Sequence, residues 1–184
     1  MTRNTMALRK ASMRDISNLL SLINAYAAKG VMLPRTEFEL SENIRDFTVA
    51  YDGSVLAGCG ALHFYTPGSA ELRSLAVLPA MEGRGVGRML VDTLEAEARE
   101  NDLEAIFAFT YVPQFFEKLG FAEVERGELP LKAWKDCLRC PKFQNCDEIA
   151  VLKRLKPVVA TLYPPQFSSV QSLIQLPALR HTTV

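Results

Sequence analysis

The 184-residue chain has no surplus of either charge: 21 Lys and Arg stand against 21 Asp and Glu. A general polyanion binder needs excess cations to displace counterions, so broad nucleic-acid binding is excluded. A small anion held by backbone amides is not excluded, because amides add nothing to the charge count. No run approaches the roughly 18 apolar residues that span a bilayer. The opening MTRNTMALRKAS lacks the continuous apolar stretch of a secretory leader. Cysteine is scarce. Cys137, Cys140 and Cys146 crowd into one short segment and Cys59 stands apart. That is unlike a disulfide framework spread over a secreted domain, so a cytoplasmic protein with mostly reduced thiols is expected. Histidine is scarcer still: His63 and His181 show no ligand spacing, and His63 is expected to be structural.

What is present is ordinary globular composition, 48% hydrophobic and 23% charged, in a length that suits one domain with a full core. Ser12 with Asp15 reads as a capping box before a helix carrying Ile16, Leu19, Leu20 and Ile23, stopped near Gly30. Thr36 with Glu39 repeats the signal before a shorter helix. Residues 47–51 and 55–64 read as strands around an Asp52–Gly53 hairpin turn. Residues 71–78 read as a strand closed by Pro79, and 85–101 as a helix with Val86, Leu90, Leu94 and Ala98 on one face. A strand over 103–110, a helix opened by Pro113 and stopped by Gly120, and strands over 121–125 and 148–155 complete the pattern. The fold class is α/β, with a mixed sheet of about seven strands flanked by about four helices. The domain is expected over 1–155, with 128–147 as an inserted Cys/Trp loop. Residues 156–184 have no Gly, Asp or Glu and four of the ten prolines. They are expected to form an extended or partly disordered tail, or to lie against the domain or a neighbouring subunit.

The most informative stretch is LRSLAVLPAMEGRGVGRMLVDTLEAEA. A strand ends at Pro79, glycines alternate at Gly83, Gly85 and Gly87, and a helix starts at once. Alternating glycines let the backbone curl so that successive N–H groups converge, and the helix start adds unpaired donors. Phosphate is the expected ligand, with Arg84 and Arg88 as side-chain partners. No Gly-Lys-Ser/Thr follows, so this is not a P-loop, and the spacing does not fit a dinucleotide fingerprint.

The stretch resembles the acetyl-CoA loop of the GCN5-related N-acetyltransferases. The family pattern Gln/Arg-x-x-Gly-x-Gly/Ala falls on 82–87, after L-x-V-x-P at 75–79. FFEKLGF, at 115–121, resembles the family's second hallmark. The resemblance covers about residues 7–155 and implies the GNAT fold, with splayed central strands and pantetheine lying between them. It implies cofactor contacts at Leu75, Ala76, Val77, Arg84, Gly85, Val86, Gly87, Arg88, Phe115 and Phe116. A backbone N–H near Leu75 would stabilise the oxyanion, and Glu71 is the candidate base. Two positions depart from the pattern: Glu82 replaces Gln or Arg, and Phe116 replaces the tyrosine that commonly acts as acid. Tyr111 or water is the candidate acid instead.

A narrower resemblance rests on G-V-M-L-P-R-T-x-x-E-L from Gly30, ELRSLAV from Glu71 and K-x-W-x-D-C-x-x-C-P-K-F-x-x-C-D-E from Lys132. These segments resemble the short single-domain N-acetylglutamate synthases of bacterial arginine biosynthesis. At 184 residues, the kinase-like domain of the longer enzymes is not expected. The implied reaction is acetyl transfer from acetyl-CoA to the α-amine of L-glutamate. Arg35, Arg73 and Lys132 are the candidate carboxylate ligands, since cationic forks suit carboxylates. Glutamine or a peptide N-terminus as acceptor, and a non-catalytic acetyl-CoA sensor, are the alternatives. A homodimer is compatible with the chain. For Cys137, Cys140 and Cys146 three readings stand: reduced thiols in a packed loop, a metal site completed by Asp147, His63 or Cys59, and a redox-sensitive disulfide. No metal is expected.

Overall fold

The computed structural model describes residues 6–129 and 140–157. The chain runs β1 (Ala7–Lys10), α1 (Ile16–Ala27), α2 (Glu37–Glu42), β2 (Phe47–Asp52), β3 (Val55–Thr66), β4 (Ser69–Val77), α3 (Val86–Glu100), β5 (Ala105–Thr110), α4 (Pro113–Glu117), β6 (Ala122–Glu123) and β7 (Ile149–Arg154). The strands form one mixed sheet in the order β1-β2-β3-β4-β5-β7-β6. Lys132, Trp134, Cys137 and the tail from 158 onward lie outside the described residues.

Local chemistry sets most of the boundaries. Thr36 opens α2 as a capping box: its hydroxyl accepts from the Glu39 N–H at 3.2 Å, and the Glu39 carboxylate accepts from the Thr36 N–H at 2.8 Å. Pro113 sits in the first turn of α4, where its missing N–H costs nothing. β5 starts two residues later than the sequence suggests. The Leu103 N–H donates back to the Ala98 carbonyl (3.0 Å), so Leu103 closes the end of α3 instead of joining the sheet. β6 is two residues long instead of five, because only Ala122 and Glu123 pair with β7.

Two faces of the sheet are covered. α3 lays Leu90, Val91, Leu94 and Ala98 on one face, with Leu62, Ala70, Leu72, Ile106 and Ala108 beneath much of it. α1 and α2 cover Val49, Cys59 and Ala61 on the other. The α1 face therefore also carries the alternate residues of the central strands, among them His63, Glu71 and Arg73.

Asp15 ties β1 to the start of α1. Its carboxylate takes both guanidinium arms of Arg9 at 2.8 Å, the Ser12 N–H at 2.7 Å and the Tyr51 hydroxyl at 2.9 Å. The Arg9 guanidinium, more than any other group, holds this 3%-exposed carboxyl well below its usual range. Such a group stabilises the fold fully above its unfolded pKa of about 3.9 and loses that contribution as pH falls through its depressed folded value. Asp15→Asn should cost about 2 kcal/mol at neutral pH, or roughly 4–8 °C in Tm. The variant should also show a smaller loss of Tm than the parent below about pH 4. Thermal melts across pH check both outcomes.

Candidate active site

The central strands open into a V. β4 and β5 run parallel and pair only from Ser69–Ala105 to Glu71–Phe107. Beyond that point β4 continues to Val77 and β5 to Thr110 without pairing to each other. The diverging edges present backbone donors and acceptors that an extended ligand can pair with. Glu71 stands at the apex.

Glu71 is 1% exposed and accepts from the Tyr65 hydroxyl at 3.1 Å. Tyr65 packs edge-on to His63, with ring centroids 5.2 Å apart. The His63 Nδ1 lies 2.6 Å from the Asp46 carboxylate, and the Arg73 guanidinium lies 3.7 Å from the same oxygen. The Asp46 carboxylate thus contacts both side chains, and His63 and Arg73 share a sheet face with Glu71. His63 and Glu71 are direct cross-strand partners. That register exists because Tyr65 is an extra residue in β3, a bulge that shifts the pairing by one.

A second irregularity lies further along β4. Ala61 pairs with Arg73 and Cys59 with Ala76, so Ser74 and Leu75 together face Gly60. Ser74 has a positive φ of 52°, unusual for a residue with a side chain. The bulge turns the backbone of 74–76 out of the regular ladder at the arm of the V. Cys59 lies beneath it, fully buried, with its thiol 3.6 Å from the Ser74 carbonyl. Burial pushes that thiol up to about 12, so it stays protonated and is a packing group.

The glycine turn closes the open end. Gly83 and Gly85 have φ of +75° and +80°, and Gly85 caps α3 from the left-handed region. The Met89 N–H donates to the Gly85 carbonyl at 3.0 Å, which leaves the first-turn amides of Val86, Gly87 and Arg88 ahead of the helical ladder. Gly87 answers to packing: a Cβ there would lie 3.2 Å from the Phe115 ring. Val86 is buried, so only its backbone faces the turn. Phe116 is also buried, wedged edge-on between Phe115 and Phe121. Its side chain belongs to the core, and half-buried Phe115 is the aromatic beside the loop. Arg84 and Arg88 lean outward, toward the Asp52 carboxylate (4.0 Å) and the Lys118 carbonyl (3.2 Å).

On the α1 side, Arg35 and Arg73 line one cleft with Glu39, Leu40, Asn43 and Phe47. Asn24 holds the Arg35 backbone from both sides, each bond 2.9 Å. Tyr111 leaves the end of β5, donates to Asp147 at 2.9 Å and accepts from Lys142 at 3.1 Å. Burial raises its phenol above the ordinary value. Cys140 and Cys146 are free thiols, and among the described residues no three His, Cys, Asp or Glu side chains gather as a metal site. No helix among the described residues is long and apolar enough to cross a membrane.

The sequence does not mark Asn24, Asp46 or Tyr65, whose contacts hold Arg35, His63 and Glu71 in place. The hairpin through Pro67–Gly68 was the available signal for His63, but it does not reveal the Tyr65 bulge.

The acetyltransferase (GNAT) family model matches residues 15–121. The chain belongs to the GNAT acetyltransferase family. As a GNAT protein it is an acetyl-CoA-dependent acyltransferase. It is 43% identical to an uncharacterized N-acetyltransferase of Chlorobaculum tepidum, over 80% of this chain and 96% of that one. It is 36% identical to an amino-acid acetyltransferase of Mycobacterium tuberculosis, over 72% and 77% of the two chains. Among solved GNAT structures it superposes on the N-acetylglutamate synthase of Neisseria gonorrhoeae, complexed with coenzyme A and N-acetyl-glutamate. There the TM-score is 0.76 at 25% identity, covering 83% of this chain and 36% of that one. The chain thus spans about a third of that enzyme's length.

Proposed function

We propose that this GNAT protein transfers the acetyl group of acetyl-CoA to the α-amine of L-glutamate, the opening step of arginine biosynthesis. The observation that carries the reading is the cleft that Arg35 and Arg73 both line, with Arg73 two residues along β4 from Glu71 and on the same face. Two guanidinium groups suit a dicarboxylate, and Asp46 keeps Arg73 oriented until a substrate carboxylate competes for it. Relatives named amino-acid acetyltransferases support the same acceptor class.

In this reading the amides at 83–88 hold the pyrophosphate, and the free edge of β4 from Leu75 to Val77 pairs with the pantetheine amides. Glu71 takes the proton of the attacking amine, directly or through one water. The amine nitrogen bonds to the thioester carbon, and a backbone N–H at the Ser74–Ala76 bulge steadies the oxyanion. The carbon–sulfur bond then breaks and the thiolate leaves. A thiol with a pKa of about 8.5 needs little acid help, and Tyr111 or water returns its proton. Phe116 cannot do so, and the chemistry does not require it. Lys132 remains a third candidate for the substrate carboxylates.

Coupled detection of free CoA across an amino-acid panel tests the assignment. Glutamate should be the best acceptor. Turnover on a peptide N-terminus, with none on any amino acid, would overturn it. Arg73→Ala should raise the glutamate KM about 20-fold, the worth of one charge-assisted contact, and leave the acetyl-CoA KM within about twofold. Equal damage to both KM values would move Arg73 off the acceptor side.

A further inference from the structure

Glu82 opens the glycine loop with a carboxylate, where phosphates would be repelled. The structure shows what holds it. Tyr26, in the last turn of α1, aims its hydroxyl at two acceptors: the Val77 carbonyl at 2.6 Å and the Glu82 carboxylate at 3.1 Å. The Lys29 ammonium lies 5.1 Å from the centre of the Tyr26 ring. Burial, and then the nearby Glu82 carboxylate, raise the phenol above its ordinary pKa, so it keeps its proton near neutrality.

A phenol has one proton and cannot donate fully to both oxygens. The shorter contact assigns it to Val77. The phenol oxygen then faces the Glu82 carboxylate with lone pairs on both sides, and Glu82 is held weakly. Val77 is the last residue of β4, on the arm of the V that borders the glycine turn.

We propose that Tyr26 is a positioning residue for acetyl-CoA, acting through Glu82. An amide N–H of the cofactor that reaches the Val77 carbonyl competes for its lone pairs and weakens the phenol's bond there. The phenol proton then turns to Glu82 and tethers the carboxylate to α1, away from the phosphates. No covalent bond changes, and the proton stays on the phenol. The cofactor therefore strengthens the bond that removes its own repulsion. The inference rests on the cofactor placement proposed above and is independent of the acceptor.

The test is a double-mutant cycle on the full chain: Tyr26→Phe, Glu82→Gln and both together, with acetyl-CoA KM and kcat measured at saturating acceptor. Tyr26→Phe keeps the ring and should raise acetyl-CoA KM about tenfold, with the change in KM and not in kcat. In the Glu82→Gln background the same change should cost less than about twofold, and added salt should shrink the single-mutant defect. An equal penalty in both backgrounds would overturn the tether, because Tyr26 would then act only on Val77. No penalty in either background would overturn it as well. Gly85→Val, assayed alongside, separates the two levels. If it leaves acetyl-CoA KM unchanged, the placement and the tether both fail. If it weakens acetyl-CoA while Tyr26→Phe does not, the tether alone fails.

Discussion

Glu71→Gln should lower kcat by roughly a thousandfold, within the range that a positioned general base contributes. Glutamine matches the carboxylate in shape and still accepts from the Tyr65 hydroxyl, so the apex of the V should keep its packing. Acetyl-CoA binds along β4 and at the glycine turn in this account, so its KM should change little. The remaining rate should climb steadily with pH, because only amine that is already deprotonated can attack. The parent enzyme should not share that climb over the same range. A variant with near-parental kcat would remove Glu71 from the chemistry and leave it as a buried partner of Tyr65.

Gly85→Val should weaken acetyl-CoA by about a hundredfold, and the cause is backbone strain more than a clash. A Cβ at Gly85 would meet nothing within 4 Å. Its φ of +80° is the obstacle, since a β-branched residue is strongly disfavoured there. The turn must rotate to relieve about 1–3 kcal/mol of strain, and its amides then stop converging. Two charge-assisted bonds to phosphate, at about 1.5–3 kcal/mol each, are then at risk. Isothermal titration with CoA measures the loss directly. Unchanged affinity would place the phosphates elsewhere.

Local signals in the sequence reached far. The capping residues at Ser12 and Thr36, the buried stripe of α3 and the left-handed glycines are all written within a few positions, and each appears in the fold. Glu71, Arg73 and Arg35 could be nominated because they sit inside or beside motifs. The rest depends on long-range register. A regular hairpin closing at Thr66–Ser69 would set His63 opposite Leu72, on the wrong face. The Tyr65 bulge moves it opposite Glu71, and no local composition marks that bulge. Ser74 is similarly silent: its positive φ occurs without glycine. The Tyr26–Glu82 contact joins residues 56 positions apart, so sequence spacing could flag Glu82 as unusual but not show what restrains it.

A crystal structure of the full chain with CoA and N-acetylglutamate bound would fix both sites at once. The pyrophosphate should lie on the amides of 83–88, the product's carboxylates on Arg35 and Arg73, and its amide nitrogen nearest Glu71, directly or across one water. Product carboxylates bound away from that arginine cleft, or a CoA that avoids the glycine turn, would contradict the proposed function.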